Sequence, residues 1–276
     1  MLFITHRFMD HLIAALPPGS RVLDLGARAG SFQTERSDLH LVRLDLEIPA
    51  ARHAGAYVAA DAARMPILAQ CFDLIVSNHS LEHFPELERT VSEIGRVSQP
   101  GGALFIAVPD AGTLTDRIYR WLGQGGLRHG GGHVNAFRSP GQVIGLVQKL
   151  TGMKCRGTRV LFSGLSFLNA RNVTHPPGRL LLFANGNERF LAALTWGLRT
   201  ADLLFGTRLS QYGWEFYFGN AAPVDSAEWW ANVCVRCGAG HSEAFLRLHT
   251  PVQRRLRFWE SYRCPGCGGW NLLTRD

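Results

Sequence analysis

Along this chain the apolar positions gather into short runs, and each run stops at a polar residue or a glycine turn. Residues 22–25, 41–44, 57–60, 72–78 and 103–108 are five such runs. Continuous rather than alternating apolar runs suit strands buried on both faces of a parallel sheet. Around them the period changes to that of a helix. Phe8, Met9, Leu12, Ile13 and Leu16 share one face of a predicted helix over residues 1–16, which Pro17-Pro18-Gly19 ends. Leu87, Val91, Ile94 and Ser98 share another, with Glu86 and Glu88 near its start, where the macrodipole favours anions. A third helix is predicted from Ser139-Pro140 to Leu150. Residues 159–162 and 213–218 read as further strands, and in the latter Trp214, Phe216 and Phe218 alternate with Glu215 and Tyr217. Strands alternating with helices predict an α/β fold.

The ends of the runs carry the polar chemistry. The first contains Asp24 and opens into a Gly26-x-x-x-Gly30 turn. Glycine there permits φ > 0 and lets backbone approach a ligand where a Cβ would stand in the way. A dinucleotide fingerprint counted from Gly26 needs glycine at positions 28 and 31, and the chain has Arg28 and Ser31. The missing second glycine is the one that admits a pyrophosphate, so NAD is disfavoured. Asp45 ends the second run 21 residues after Asp24, the separation at which a carboxylate meets ribose hydroxyls. Asp61 follows the third run, and Ser77-Asn78 close the fourth before His79-Ser80-Leu81-Glu82-His83. Pro100-Gly101-Gly102 precedes the fifth.

In these residues the chain resembles the class I S-adenosylmethionine-dependent methyltransferases, whose first motif is an acidic residue followed by x-Gly-x-Gly-x-Gly at the end of strand 1. Asp24, Gly26 and Gly30 match, and Arg28 stands in place of the middle glycine. The resemblance runs over roughly residues 20 to 162. It implies a Rossmann-like, mixed and mostly parallel seven-stranded sheet with helices on both faces. It also implies an S-adenosylmethionine site built from Asp24, Gly26, Ala27, Arg28, Gly30, Asp45, Leu46, Asp61, Ala62, Ser77 and Asn78. By position, Asp45 takes the ribose hydroxyls, Asp61 with Ala62 the adenine edge, and Ser77 or Asn78 the methionine end. Asp24 orders the loop and meets the methionine ammonium, and Arg28 either pairs with the methionine carboxylate or points into solvent.

Composition fits a globular protein, with 46% hydrophobic and 18% charged residues. The net charge of +7 has the sign of a nucleic-acid binder, yet 27 of the 29 basic residues are arginine and none forms a dense run. Residues 1–16 are interrupted by His6, Arg7, Asp10 and His11, which speaks against a secretory signal, and no run of 18 apolar residues predicts a spanning helix. A cytoplasmic location is the expectation.

A second constellation closes the chain: Cys234-Val-Arg-Cys237-Gly238 and Cys264-Pro-Gly-Cys267-Gly268, two C-x-x-C-G turns with 26 residues between them. Each turn places two sulfurs on one ion, and four thiolates complete a tetrahedral Zn²⁺ with no position left for water, which makes the zinc structural. Two redox or free-thiol pairs are the alternative. Residues 245–248 and 256–262 are predicted as strands between the turns. The arginines at 247, 254, 255, 257 and 263, interleaved with Phe258, Trp259 and Tyr262, form either a face for nucleic acid or a solvated rim packed on the rest of the protein. Cys71 and Cys155 lack paired spacing and read as buried core residues.

The organisation read from these signals is a methyltransferase domain over residues 1–225 and a zinc-ribbon-like module over 226–276. Residues 164–211 form an insertion, with a helix over 190–205 whose polar positions include Arg199 and Asp202. It serves as a lid or substrate region, a dimer surface or a membrane-interface helix. Gly-rich residues 123–132 suggest a loop over the site.

Methyl transfer from a sulfonium is an in-line displacement that asks the protein mainly to align the acceptor and exclude water. If the acceptor is a hydroxyl, His83, His79 and His133 are the candidate bases, with His83 first because it follows strand 4. His129 and Asn135 line the same side. The implied activity is methyl transfer to a small-molecule or glycan-type acceptor. An RNA methyltransferase guided by the zinc module, and a non-catalytic protein that keeps the fold and binds a partner, are the alternatives.

Overall fold

The computed structural model describes residues 6–50, 52–114, 117, 133–162, 188–221, 232–237, 239–256 and 259–274. The Gly-rich segment 123–132, His129, residues 164–187 of the insertion, Arg257 and Phe258 lie outside the described residues. Among the described residues no helix is long and apolar enough to cross a membrane.

Seven strands form one sheet: β1 (Arg21–Leu25), β2 (His40–Asp45), β3 (Ala56–Ala59), β4 (Phe72–Asn78), β5 (Ser98–Pro109), β6 (Cys155–Phe162) and β7 (Gln211–Gly219). Their order is β3-β2-β1-β4-β5-β7-β6. The first five run parallel, and β7 is antiparallel to both β5 and β6. This is the mixed, mostly parallel sheet the sequence implies, with β1 and β4 side by side at the point where the order reverses, the place where open α/β sheets bind ligands.

Each face of the sheet has its own core. On one, Leu23, Leu25, Ile75, Leu104, Ile106, Trp214, Phe216 and Phe218 pack against helices α2 (Leu87–Val97) and α3 (Pro140–Thr151). Val91 and Ile94 of α2 and Val143 and Val147 of α3 supply apolar stripes as their spacing predicts, Val97 adds to the first, and Ser98, expected on the α2 face, begins β5 instead. Ser139 caps α3 in a reciprocal capping box with Gln142, and Gly152 ends the helix with φ 72°. On the other face Met9 and Ile13 of α1 (His6–Ala14) pack with Phe32, Phe105 and Tyr217.

Cys71 and Cys155 were expected in the core and are instead half-buried, packed against its rim. Both lie at the amino ends of their strands, where the sheet meets solvent. Within helix α4 (Glu188–Phe205), Arg199 and Asp202 are buried despite their polarity. Asp202 accepts hydrogen bonds from Thr207 Oγ1 (2.6 Å), Leu209 N (2.6 Å) and Ser210 N (2.7 Å), which fixes the turn that feeds β7.

Every strand position of β7 from Gly213 to Phe218 is buried, Glu215 included, at 0% exposure. Tyr217 donates its hydroxyl to Glu215, and burial pushes the Glu215 carboxyl up to about 8 against the pull of that bond and of Arg159 on β6. A folded-state pKa above the ordinary carboxylate value means the native state holds a proton that the unfolded chain releases. Stability should therefore fall between about pH 4.5 and 8, by about 1 kcal/mol per pH unit. Denaturant midpoints across that window should be flatter in Glu215→Gln, which keeps the volume and cannot ionise; parallel curves for the two proteins would remove Glu215 as the cause.

Candidate functional site

The turn after β1 is built on three residues with left-handed backbone: Gly26 (φ 70°), Arg28 (φ 47°) and Gly30 (φ 119°). The first two have φ in the αL range, so Arg28 takes a φ that a middle glycine would adopt freely and a side-chain-bearing residue adopts at a cost of order 1 kcal/mol. At Gly26 a Cβ would lie 2.4 Å from Ser80 Cβ, so this glycine is required by packing as well as by φ. No helix follows the turn. The 14 residues between β1 and β2 are turn and coil, although a helix is the common continuation in a Rossmann-like fold.

What holds this loop is a buried ion pair. Asp24 is 0% exposed; its carboxylate pairs with Arg43, accepts from the hydroxyl of Ser31, and accepts from Ser31 N at 2.9 Å. Arg43, 1% exposed, also donates to Ala54 O (2.9 Å) and Phe32 O (2.8 Å), and its guanidinium lies 5.0 Å from the Phe32 ring centroid. Burial raises the Asp24 carboxyl above its usual range, and Arg43 and Ser31 work against that rise. The enclosed carboxylate holds Ser31 of the loop from beneath, through both its main-chain N–H and its hydroxyl. Tyr57 OH to Ala29 O (2.7 Å) and Gly30 N to Ala27 O (2.6 Å) complete the brace.

The other strand ends are hydrogen-bonded into one rim. Asp45 Oδ2 accepts from Arg28 N at 2.7 Å and its Oδ1 from Leu46 N at 2.8 Å, which ties the tip of β2 to the glycine turn. Ala60 N donates to Asp45 O (2.8 Å), bringing in the end of β3. Asp61 accepts from Ala63 N (2.9 Å) and pairs with Arg64, and Ala62 is buried beside it. From β4, Ser77 Oγ meets Ser80 Oγ (2.7 Å), and Ser80 Oγ donates to Leu25 O (2.9 Å); Ser77 and Asn78 are buried. The structure thus brings Asp24, Gly26, Ala27, Arg28, Gly30, Asp45, Leu46, Asp61, Ala62, Ser77 and Asn78 to one edge of the sheet. An open groove of about 690 Å³ next to Ala63, along α2, is a separate feature: Arg64, Arg89 and Arg96 on its wall are already paired with Glu86 and Glu93.

The three histidines converge as well. His79 takes φ 52° at the turn after β4, and its ring lies 5.3 Å from that of Tyr212. Its side chain is 4% exposed, and burial, reinforced by His133 and His83, lowers it to about 3, so it stays neutral and is poorly matched to a base near pH 7. His83 and His133 are half-buried, with ring centroids 5.0 Å apart. Residues 133–135 are held there by Val134 N and Asn135 N donating to Glu82 O (2.8 and 3.0 Å) and by Asn135 Nδ2 donating to Phe84 O (2.8 Å). Glu82, not singled out from the sequence, lies beneath both histidines, and burial raises its carboxyl to about 8. Its place in a His-x-x-Glu-His run beside a strand tip was the available signal.

At the chain's end the four paired cysteines come together: their sulfurs lie within 4.8 Å of one another, with Cys234–Cys267 at 3.6 Å and Cys237–Cys264 at 3.7 Å. Zn–S bonds of about 2.3 Å at tetrahedral angles place sulfurs about 3.8 Å apart, so the donor set fits zinc. Arg236 N and Asn271 Nδ2 each donate to Cys234 Sγ at 3.4 Å, as donors do around a thiolate ligand. Two small sheets carry the turns, β8 (Asn232–Val233) with β9 (Gly240–His241), and β10 (Gln253–Leu256), β11 (Trp259–Arg263) and β12 (Trp270–Leu272).

Residues 245–248, expected as a strand, belong instead to helix α5 (Glu243–His249). Ser242 caps it through Phe245 N (3.0 Å), Glu243 sits in its first turn, and Phe245 stacks on His249 one turn on, at 4.2 Å. Of the predicted strand 256–262, Leu256 belongs to β10 and residues 259–262 to β11, and the two strands pair antiparallel. Arg247 is engaged by Glu243 and Glu260, and Trp259, though exposed, meets Trp196 of α4 edge to face at 5.8 Å.

A mostly parallel sheet in this strand order, with a glycine turn and acidic tips on its carboxyl edge, defines the Rossmann-like methyltransferase class. Residues 23–106 match the family described as a methyltransferase domain. The malonyl-acyl-carrier-protein O-methyltransferase of Methylococcus capsulatus is 29% identical over 197 residues, which are 63% of this chain and 70% of that enzyme. The demethylmenaquinone methyltransferase of Renibacterium salmoninarum is 32% identical over 98 residues, 33% of this chain and 41% of its own length. A protein of Bacillus halodurans C-125 assigned as a methyltransferase shares the fold, with a TM-score of 0.50 at 17% identity over 77% of this chain and 95% of its own. Residues 23–106 thus carry a methyltransferase domain of the class I, S-adenosylmethionine-dependent type.

Proposed function

We propose that the protein transfers a methyl group from S-adenosylmethionine to a small-molecule acceptor, with residues 1–225 as the catalytic domain and 226–276 as a zinc-stapled module. The observation that carries this reading is the hydrogen-bonded rim joining the glycine turn to Asp45 and, through Ser80, to the end of β4. The relatives named as acting on a malonyl group on its carrier protein and on demethylmenaquinone favour a small or carrier-borne acceptor over RNA. So does Arg247, whose charge is met within the C-terminal region itself.

The cofactor supplies an activated methyl on a sulfonium, and the residues of this chain supply position. Asp45 would hold the ribose hydroxyls, Asp61 and Ala62 the adenine edge, and Ser77 and Asn78 the methionine end. The main chain of 26–30 gives close backbone approach, and Arg28, exposed at the mouth, carries a charge suited to a carboxylate. His83 and His133 with Glu82 face the acceptor side. Zn²⁺ held by Cys234, Cys237, Cys264 and Cys267 would be structural.

Asp45→Ala should weaken S-adenosylmethionine binding by roughly 10- to 150-fold, the loss of about 1.5–3 kcal/mol expected for a charged hydrogen-bond pair. Titration calorimetry measures it directly, and unchanged affinity would exclude Asp45 from the ribose.

A further inference from the structure

The cluster at the end of β4 has a composition that ribose and methionine do not call for. Glu82, His83 and His133 each present a donor atom, and the three donors lie within 4.8 Å of one another. His83 Nε2 is 3.9 Å from Glu82 Oε1, beyond hydrogen-bond range. Bonds of about 2.0–2.2 Å from one ion to nitrogen and oxygen at tetrahedral angles would set them about 3.4 Å apart, within a small side-chain adjustment of that spacing. Glu82 is 1% exposed, and its Oε2 has no hydrogen-bond partner among the described residues. A buried carboxyl oxygen left in that state costs free energy unless a hydrogen-bond donor or a cation meets it. The backbone bonds from Val134 and Asn135 to Glu82 O lock the two contributing segments together, so the donors are preset by the fold.

We propose that Glu82, His83 and His133 form a divalent metal site, taking Zn²⁺ or a similar first-row ion, whose open position receives an oxygen of the acceptor. Two imidazoles and one carboxylate select such ions over Mg²⁺ or Ca²⁺. They are also the ligand set of open, catalytic zinc sites, in contrast to the closed four-cysteine centre. The inference rests on the methyltransferase reading and narrows its substrate class to oxygen acceptors. Ser80, two residues before Glu82, packs on Gly26, so the site stands directly across the glycine turn. There the metal lowers the pKa of an acceptor hydroxyl, whose proton leaves to water. The oxygen lone pair then forms the new O–C bond while the S–C bond breaks and its electrons stay on sulfur as the thioether.

Metal content of the full chain, dialysed against micromolar ZnCl₂ and weighed by native mass spectrometry, tests this. Two zinc ions per chain are expected, falling to one in His83→Ala/His133→Ala. Zinc calorimetry on protein already holding one ion should show the second site weakened about 100-fold or more by His133→Ala. S-adenosylmethionine affinity should be the same in each variant, which also certifies that each is folded. One zinc in the unaltered chain, or two that survive the double substitution, would overturn the metal site even if the cofactor binds. A chain that takes up two zinc ions and no S-adenosylmethionine would instead overturn the methyltransferase reading.

Discussion

Arg43→Met should cost the fold about 3–5 kcal/mol, the loss measured when one member of a buried ion pair is removed and the other is left charged inside the protein. Asp24 would then sit at 0% exposure with only Ser31 to answer it, and the carbonyls of Phe32 and Ala54 would lose their donors. Methionine fills much of the volume, so the deficit reports charge rather than a cavity. The double variant Asp24→Asn/Arg43→Met should recover part of the loss, because no bare charge remains. Equilibrium urea unfolding separates the two, and a single substitution costing under 1 kcal/mol would show that the pair does not brace the loop. Cofactor affinity should fall along with stability in the single variant, since the glycine turn rests on the same carboxylate.

The larger effect is expected from stripping the four-cysteine centre. Structural zinc in small domains contributes an apparent 10–16 kcal/mol near neutral pH, far more than a small core can replace. The buried apolar cluster here is small, centred on Leu246, Tyr262 and Leu273. A strong chelator, or Cys264→Ala, should therefore unfold residues 232–274. The near-ultraviolet signal of Trp259 and Trp270 would be lost, and the cysteines would become reactive to thiol reagents. The seven-stranded sheet should persist, because its two cores lie elsewhere. If chelation released no zinc and a mild oxidant produced two disulfides instead, the redox reading of the two pairs would replace the structural one.

Much of the sheet was readable because buried parallel strands announce themselves as apolar runs. Residues 72–78 were placed to the residue, Asp45 and Asn78 fell at strand ends as their positions implied, and Asp61 lies two residues beyond the end of β3. Arg43 shows where that reading stops. Inside the run 41–44 a lone arginine looks like a surface residue, and its partner, 19 positions earlier, is fixed only by the pairing of β1 with β2. Glu82 was passed over for the same reason: its burial depends on residues 133–135, which return from far along the chain. The helix at 243–249 was missed differently. Its Ser242 cap and first-turn Glu243 are local signals, but the expectation that strands fill a zinc ribbon outweighed them. The Gly26 turn was legible as a turn, whereas the left-handed backbone of Arg28 was not, because a residue with a side chain gives no warning of it.

The absence of a helix between β1 and β2 has a consequence for cooperativity. In a loop shaped by its own helix, ligand occupancy orders a local element. Here the loop hangs from an ion pair rooted in two central strands, so its opening and the opening of the sheet draw on the same residues. Ligand bound at the strand tips should then slow amide exchange throughout β1 and β2. In this protein the ligand cradle and the keel of the domain are a single piece.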